Sequence, residues 1–311
     1  MKKKRKLFLF FFTVIFSFYV FAVYGEKEVK SLQNISLQWP VPKDKIKKIS
    51  STFAESRLDH FHAGIDIVGE NLPVLPVEKG RLLWKKNPVR KKGEIPFGGG
   101  ITVVLDHGSF WSGYMHLKKI SEKIENEING ATILKKEDII GFSGDTGHSG
   151  GAHLHYFIYD QKKRKIYNPL ALMPAGIYKN KTAPKIEKFA VLLPENLAEV
   201  DLKKEIVMSQ DFPVYAQIKD SAEKHERWGV YSLKVYSKKN AQPDVDIVFD
   251  HIEFKNNKWR TSNGKAFEDV YYMNWYLLGK NFKRTRFLSL ETAGYNAPEK
   301  IETIDMKIRD Q

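Results

Sequence analysis

The chain has 311 residues, 42% of them apolar and none of them cysteine, with 51 basic against 37 acidic side chains. That length and apolar content suit a sizeable core and roughly two domains. Without cysteine there are no disulfides, no thiolate metal ligands and no lipid-modified N-terminal cysteine, so any metal must be held by His, Asp or Glu.

The N-terminus opens MKKKRK, followed by eighteen uncharged residues rich in Phe, Leu and Val, then Gly25 and the polar GEKEVK. A basic head, an apolar run and a small residue before a charged stretch read as an export signal over residues 1–25, cleaved after about Gly25. A run of about eighteen apolar residues also just suffices to span a bilayer if left uncleaved, so membrane attachment through this segment stays open. Either way the protein is expected to be exported, periplasmic or associated with the cell wall. Setting aside the five basic residues of the head leaves 46 basic and 37 acidic residues, a net charge of +9. The neighbours of an exported basic protein are wall polymers or lipid head groups rather than nucleic acid. The lysines are scattered and not interleaved with aromatics, as on a solvated surface.

Residues 26–48 contain WPVPKDKIKK and read as an extended lead-in. From about Ser50, short apolar runs alternate with turn signals: IDIVG, LPVLPVEKGRLLW, GGGITVVLDHGSFWSGYMHL, EDIIGFSGDTG and HLHYFIYD. Strand-length runs broken by Gly, Pro, Asn and Asp, with little helical periodicity, predict a mainly β domain over residues 49–178. One helix is predicted at LKKISEKIENEI, residues 117–128, where isoleucine recurs every four residues. A boundary is expected in MPAGIYKNKTAP. Beyond it, residues 185–311 carry β-like runs at the 8 to 12 residue spacing of a β-sandwich, for which an immunoglobulin-like type is expected.

Seven of the nine histidines lie between residues 60 and 155. In HLHYFIY, His153 and His155 are two apart on a predicted strand and so look to one face. In HFHAGID, an extended chain would hold His62 and Asp66 about 13 Å apart, too far to share an ion. The chain must therefore bend, and Gly64 allows it at little steric cost. Spacing favours His62 over His60 only weakly. His116, in YMHL, ends a predicted hairpin arm and could equally be a core histidine, whereas His107 sits in the DHGS turn and suits a structural role.

Three motifs in this order, HxGxD from His62 to Asp66, YMHL around His116, and GFSGDTGHSGGAHLHYFI from Gly141 to Ile158, resemble the lysostaphin-type zinc endopeptidases that cut peptidoglycan. The resemblance covers roughly residues 49–175. It implies an antiparallel β-sheet peptidase domain like a duplicated hybrid motif, with one zinc ion held by His62, Asp66 and His155. It further implies that His116 and His153 flank the zinc-activated water and the scissile carbonyl as catalytic residues. Arg57, ahead of the first motif, and Tyr114, in YMHL, are expected against the substrate. The implied function is hydrolysis of peptide bonds in peptidoglycan cross-links or stem peptides. The alternative is a wall-binding protein without catalysis, or an activator of another wall hydrolase. The glycines from Gly141 to Gly151 are expected to turn the chain sharply before the His-x-His strand and to leave an open groove. Nothing in the sequence bears on oligomeric state.

Overall fold

A computed structural model describes residues 35–86, 98–127, 131–175, 177, 182–208, 210–220, 228–238, 242–280, 287–295, 299–305 and 307–310. The expected export segment, residues 1–25, lies outside the described residues, as do residues 26–34 of the lead-in. Among the described residues no helix is long and apolar enough to cross a membrane. The chain divides into two units, residues 1–37 and 38–311, and every element named below belongs to the second.

The molecule is mainly β, as the sequence predicts. In the N-terminal half the strands are β1 (Ile49–Ser51), β2 (Ile65–Val68), β3 (Pro73–Val74), β4 (Gly80–Lys86), β5 (Ile101–Asp106) and β6 (Trp111–Ile120). After the single helical turn α1 (Glu122–Glu125) come β7 (Ile133–Leu134), β8 (Gly141–Ser143), β9 (His153–Asp160) and β10 (Lys165–Tyr167), then the short α2 (Pro169–Leu172). The predicted helix over 117–128 is largely replaced by the end of β6. Leu117 pairs with Ile101 and Ser143, and Ile120 with Gly141. Ladder bonds on both sides of β6 outweigh a periodicity of which only Ile124, buried, lies in a turn of helix. Ile128 lies outside the described residues.

The main sheet runs β10-β9-β6-β5-β4-β7, with β2 also paired to β9 and β8 also paired to β6. β9 is its organising strand. Leu154, Tyr156, Ile158 and Asp160 are buried, while His153, His155, Phe157 and Tyr159 alternate with them on the more open face, the period-2 pattern of a half-buried strand. β2 lies antiparallel to β9 with Asp66 opposite His155 and Val68 opposite His153. On the other side Met115 of β6 lies opposite His155.

Besides the parallel pair 205–208 and 307–310, two larger sheets form from the C-terminal half. One takes the order 197–200, 185–192, 214–219, 275–279, 271–272, and the other 245–248, 232–236, 287–293, 300–305. Val214, Ala216 and Ile218 of the first share a buried core with Leu233, Val235, Leu288 and Leu290 of the second, which makes a two-sheet sandwich. The expected sandwich is therefore present, with one five-stranded and one four-stranded sheet. It also sends out the hairpin 251–255/258–261, where Tyr167 of β10 pairs with His251, so the main sheet reaches twelve strands. The expected boundary near residues 178–185 falls between strands, but hydrogen bonding crosses it.

The 144–151 loop packs directly on the loop before β5. Gly147 has φ +81°, and a Cβ there would lie 2.3 Å from Gly100 N and 2.5 Å from Gly98 O. Both contacts are to backbone, which cannot swing aside. Gly147→Ala is therefore expected to destabilise the protein by more than about 1 kcal/mol, read as a lower urea midpoint at unchanged m-value. An unchanged midpoint would show that the two loops separate freely.

Candidate metal centre

Three elements bring their side chains to one point. β2 supplies Asp66, β9 supplies His155, and the segment ahead of β2 supplies His62 after the chain bends at Gly64. His62 Nε2 lies 3.1 Å from Asp66 Oδ1 and 3.0 Å from His155 Nδ1, and His155 Nδ1 lies 2.9 Å from Asp66 Oδ1. Gly64 is required by the close approach: a Cβ there would meet Tyr156 O at 2.4 Å and His155 Nε2 at 2.8 Å. The position the sequence marks for a bend is thus also the floor under a site imidazole.

The tautomers are set from behind. His62 Nδ1–H donates to the Thr52 carbonyl at 2.7 Å, which leaves Nε2 as a lone pair facing the cluster. Behind Asp66, Arg57 Nη2 reaches Oδ2 at 3.4 Å and donates to Ser51 Oγ at 2.5 Å. Burial pushes the Asp66 carboxyl up, but the His62 and His155 imidazoles beside it outweigh that and hold it far below the usual carboxylate range. Burial takes His155 the other way, down to about 4, against the hydrogen bond to Asp66.

Among the described residues, His62, Asp66 and His155 form the group whose donor atoms come within 4.8 Å of one another. Tetrahedral zinc with arms of about 2.0 Å has ligand atoms about 3.3 Å apart, and the observed separations of 2.9, 3.0 and 3.1 Å are close to that. Two neutral imidazoles and one carboxylate are also a zinc donor set. The residues fit one zinc ion.

His116 and His153 stand beside this cluster, with ring centroids 4.7 Å apart. His153 Nδ1–H donates to Gly151 O at 2.7 Å, and its Nε2 is 3.7 Å from Asp66 Oδ1. His116 Nδ1–H donates to Thr146 O at 2.7 Å. Burial lowers the His116 pKa, partly opposed by that bond. In both rings Nδ1 is thus committed to a loop carbonyl. The open groove around them has a volume of about 880 Å³ and is lined also by Leu58, Met115, Gly98, Gly99, His148 and Gly150.

Strand alternation would put Tyr114 and His116 on the same face, but His116 has φ +58°. That left-handed residue breaks the alternation, so Met115 and His116 both line the groove while Tyr114 stays inside. The expectation that Tyr114 meets substrate is corrected accordingly. Its side chain is fully buried, and its hydroxyl accepts from Val77 N–H at 3.0 Å and Ser112 Oγ–H at 2.9 Å. Arg57 does line the groove, with its guanidinium turned partly to Asp66. His60 is exposed and bonded to Asp59, and His107 is stacked on Phe110 and bonded to Lys79 O and Ser112. Sequence reasoning missed Thr52, Thr146 and Gly151, because each acts through a backbone carbonyl that leaves no residue-type signal. It also missed Glu55, which lies between Ser51, Thr52 and Arg57.

The depressed His155 pKa has a sign. An unfolded chain takes up a proton on this histidine near 6.5, the folded one only near 4, so the unfolded state binds more protons between those values and stability rises with pH there. His116, shifted the same way, adds to the slope, while Asp66 stays ionised in the folded protein. Chelator-treated protein is expected to lose up to about 3 kcal/mol as pH falls from 6.5 to 4, measured by urea unfolding. A flat profile over that window would contradict the buried, neutral His155.

Comparison with known proteins finds a family model that spans these residues. Residues 60–169 match Peptidase family M23, and residues 183–294 match a second family model without a description of activity. An uncharacterized metalloprotease of Buchnera aphidicola is 33% identical over 129 residues, 39% of this chain and 30% of that protein. The peptidoglycan DD-endopeptidase ShyA of Vibrio cholerae is 28% identical over 171 residues, 53% of this chain and 35% of that protein. The chain thus spans about a third of the length of these relatives. The catalytic domain of lysostaphin from Staphylococcus simulans aligns at 24% identity and a TM-score of 0.31, covering 39% of this chain and 86% of that one. His62, Asp66, His116, His153 and His155 all fall inside the span, residues 60–169, that matches Peptidase family M23.

Proposed function

We propose that this chain is an exported zinc metalloendopeptidase that hydrolyses peptide bonds of peptidoglycan, in cross-links or stem peptides. The observation that carries the reading is the pair of imidazoles, His116 and His153, standing beside the donor set His62, Asp66 and His155 in an open groove. Zinc held by that set supplies a Lewis acid that polarises a peptide carbonyl and makes a water acidic enough to attack it near neutral pH.

The chain's own residues do the rest. With Nδ1–H of both His116 and His153 donated to loop carbonyls, each ring presents a basic Nε2. One takes the proton of the attacking water and hands it on to the leaving amine, and the other, in its imidazolium form, donates Nε2–H to the carbonyl oxygen as charge develops on it. Asp66 remains an anion throughout and keeps the donor set charged. The exposed glycine-lined edge leaves room for an extended, thin peptide, and the net positive charge of the chain beyond the N-terminal head suits an anionic wall. The peptidoglycan activity in the name of the Vibrio cholerae relative supports the substrate class, and the basic head with its apolar run supports export.

Purified, zinc-loaded protein is expected to release new amino groups from isolated sacculi. Asp66→Ala should lose both zinc and turnover. His153→Ala should keep stoichiometric zinc while turnover falls by about 10²- to 10⁴-fold. Intact sacculi after treatment with the unsubstituted, zinc-loaded protein would remove the substrate assignment, and turnover by a zinc-free protein would remove the mechanism.

A further inference from the structure

We propose that the C-terminal strands are the structural support of the metal centre, and that Glu55 is the positioning residue through which they set His62 and Asp66. The inference rests on the zinc reading above. It starts from one stretch of backbone, residues 49–57, which carries no metal donor yet touches the groups behind His62 and Asp66.

On one side this stretch is held by side chains from the C-terminal half. Trp228 Nε1–H donates to Ile49 O at 2.8 Å, Tyr295 O–H to Phe53 O at 3.2 Å, and Tyr271 O–H to Ala54 O at 3.2 Å. Ser56 Oγ–H in turn donates to Met273 O. Phe53, Ala54 and Phe61 are buried in the same core as the C-terminal sandwich, and Phe61 stands edge-on to Phe249, Phe267 and Tyr271. Phe61 is the residue before His62.

On the other side the stretch grips the donors. His62 N–H donates to Glu55 O and Ala54 N–H to His62 O, both at 2.8 Å, while the Thr52 carbonyl fixes the His62 ring. Thr52 itself is held by Glu55, whose Oε1 accepts its N–H and its O–H at 2.6 Å each. The same oxygen accepts Gly229 N–H from the C-terminal half at 3.2 Å. Glu55 Oε2 accepts Ser51 O–H at 2.5 Å and faces Arg57 Nη1 at 3.5 Å, and Arg57 continues to Asp66. One largely buried carboxylate therefore joins the C-terminal strands to the group behind His62 and to the group behind Asp66. Partners in this outer position change metal affinity by about 10- to 100-fold when removed, because they fix the tautomer and aim of a ligand that would otherwise rotate.

The test uses the full-length protein. Zinc affinity is measured by competition with a chromophoric chelator, and ligand geometry by the d–d absorption of the cobalt(II)-substituted form. Tyr271→Phe combined with Tyr295→Phe removes two hydroxyl donors and little packing; with Glu55→Ala, it should weaken zinc about 10- to 100-fold and shift the cobalt band. Glu55→Gln, whose amide oxygen still accepts from Thr52 and Gly229, should restore most of the affinity lost in Glu55→Ala. Leu290→Ala, in the core of the four-stranded sheet, lowers Tm without touching the 49–57 stretch and should leave affinity within about twofold. Wild-type affinity and spectrum in both Glu55→Ala and the double tyrosine variant would overturn the inference while leaving the zinc site standing. Equal loss in Leu290→Ala would also overturn it, reducing the effect to general stability. Wild-type protein without stoichiometric zinc would instead overturn the zinc reading itself.

Discussion

The carboxylate of Asp66 is the constraint around which the N-terminal half is arranged. It is about nine-tenths buried, and a lone anion in such a place costs several kcal/mol. Here it meets His62 and His155 within 3.1 Å on one oxygen and Arg57 on the other, so its charge is stabilised before any metal is considered. Burial keeps His155 neutral against the pull of that carboxylate, and the shared contacts aim both imidazoles at one point, as a divalent cation needs. The acid–base character of the site is thus a consequence of where β2 lies against β9.

Register does most of this placing. A slip of one residue of β2 along β9 would turn Asp66 to the core face, away from His155. Two features guard against it: the alternating burial of β9, and the close seat of Gly64 under His155. The second pair of imidazoles is placed differently. His153 follows from strand alternation, but His116 reaches the groove only through a left-handed backbone, tied down by Gly99 O to its N–H and Thr146 O to its ring. A strained conformation at a site residue, over-determined by its neighbours, is a common mark of function.

The C-terminal half enters this scheme as part of the same body. It lengthens the main sheet through the 251–261 hairpin and encloses Phe53, Ala54 and Phe61 in its own core. Burying such side chains contributes about 1.5–3 kcal/mol for each large apolar residue, far more than the hydrogen bonds that run alongside. The stretch behind the donors is therefore anchored by packing and only aimed by polar contacts.

The sequence by itself determined the chemistry and the class of fold. Period-2 runs between turn residues specify strands, and the His-x-His spacing puts two rings on one face without any tertiary information. The crowding of histidines into residues 60–155 marks the region of the site, and Gly64 marks the bend before Asp66. Tertiary structure decided what depends on partners distant in the chain. Tyr114 is a core residue because a positive φ at His116 separates two positions that a regular strand would keep on one face. The helix expected over 117–128 gives way to β6 because Ile101, Gly141 and Ser143 offer it ladder partners. Thr52, Thr146 and Gly151 matter through carbonyl oxygens, which every residue possesses and no sequence pattern reveals. Glu55 draws its surroundings from residues as distant as Gly229, and only the folded chain brings that backbone N–H to its carboxylate.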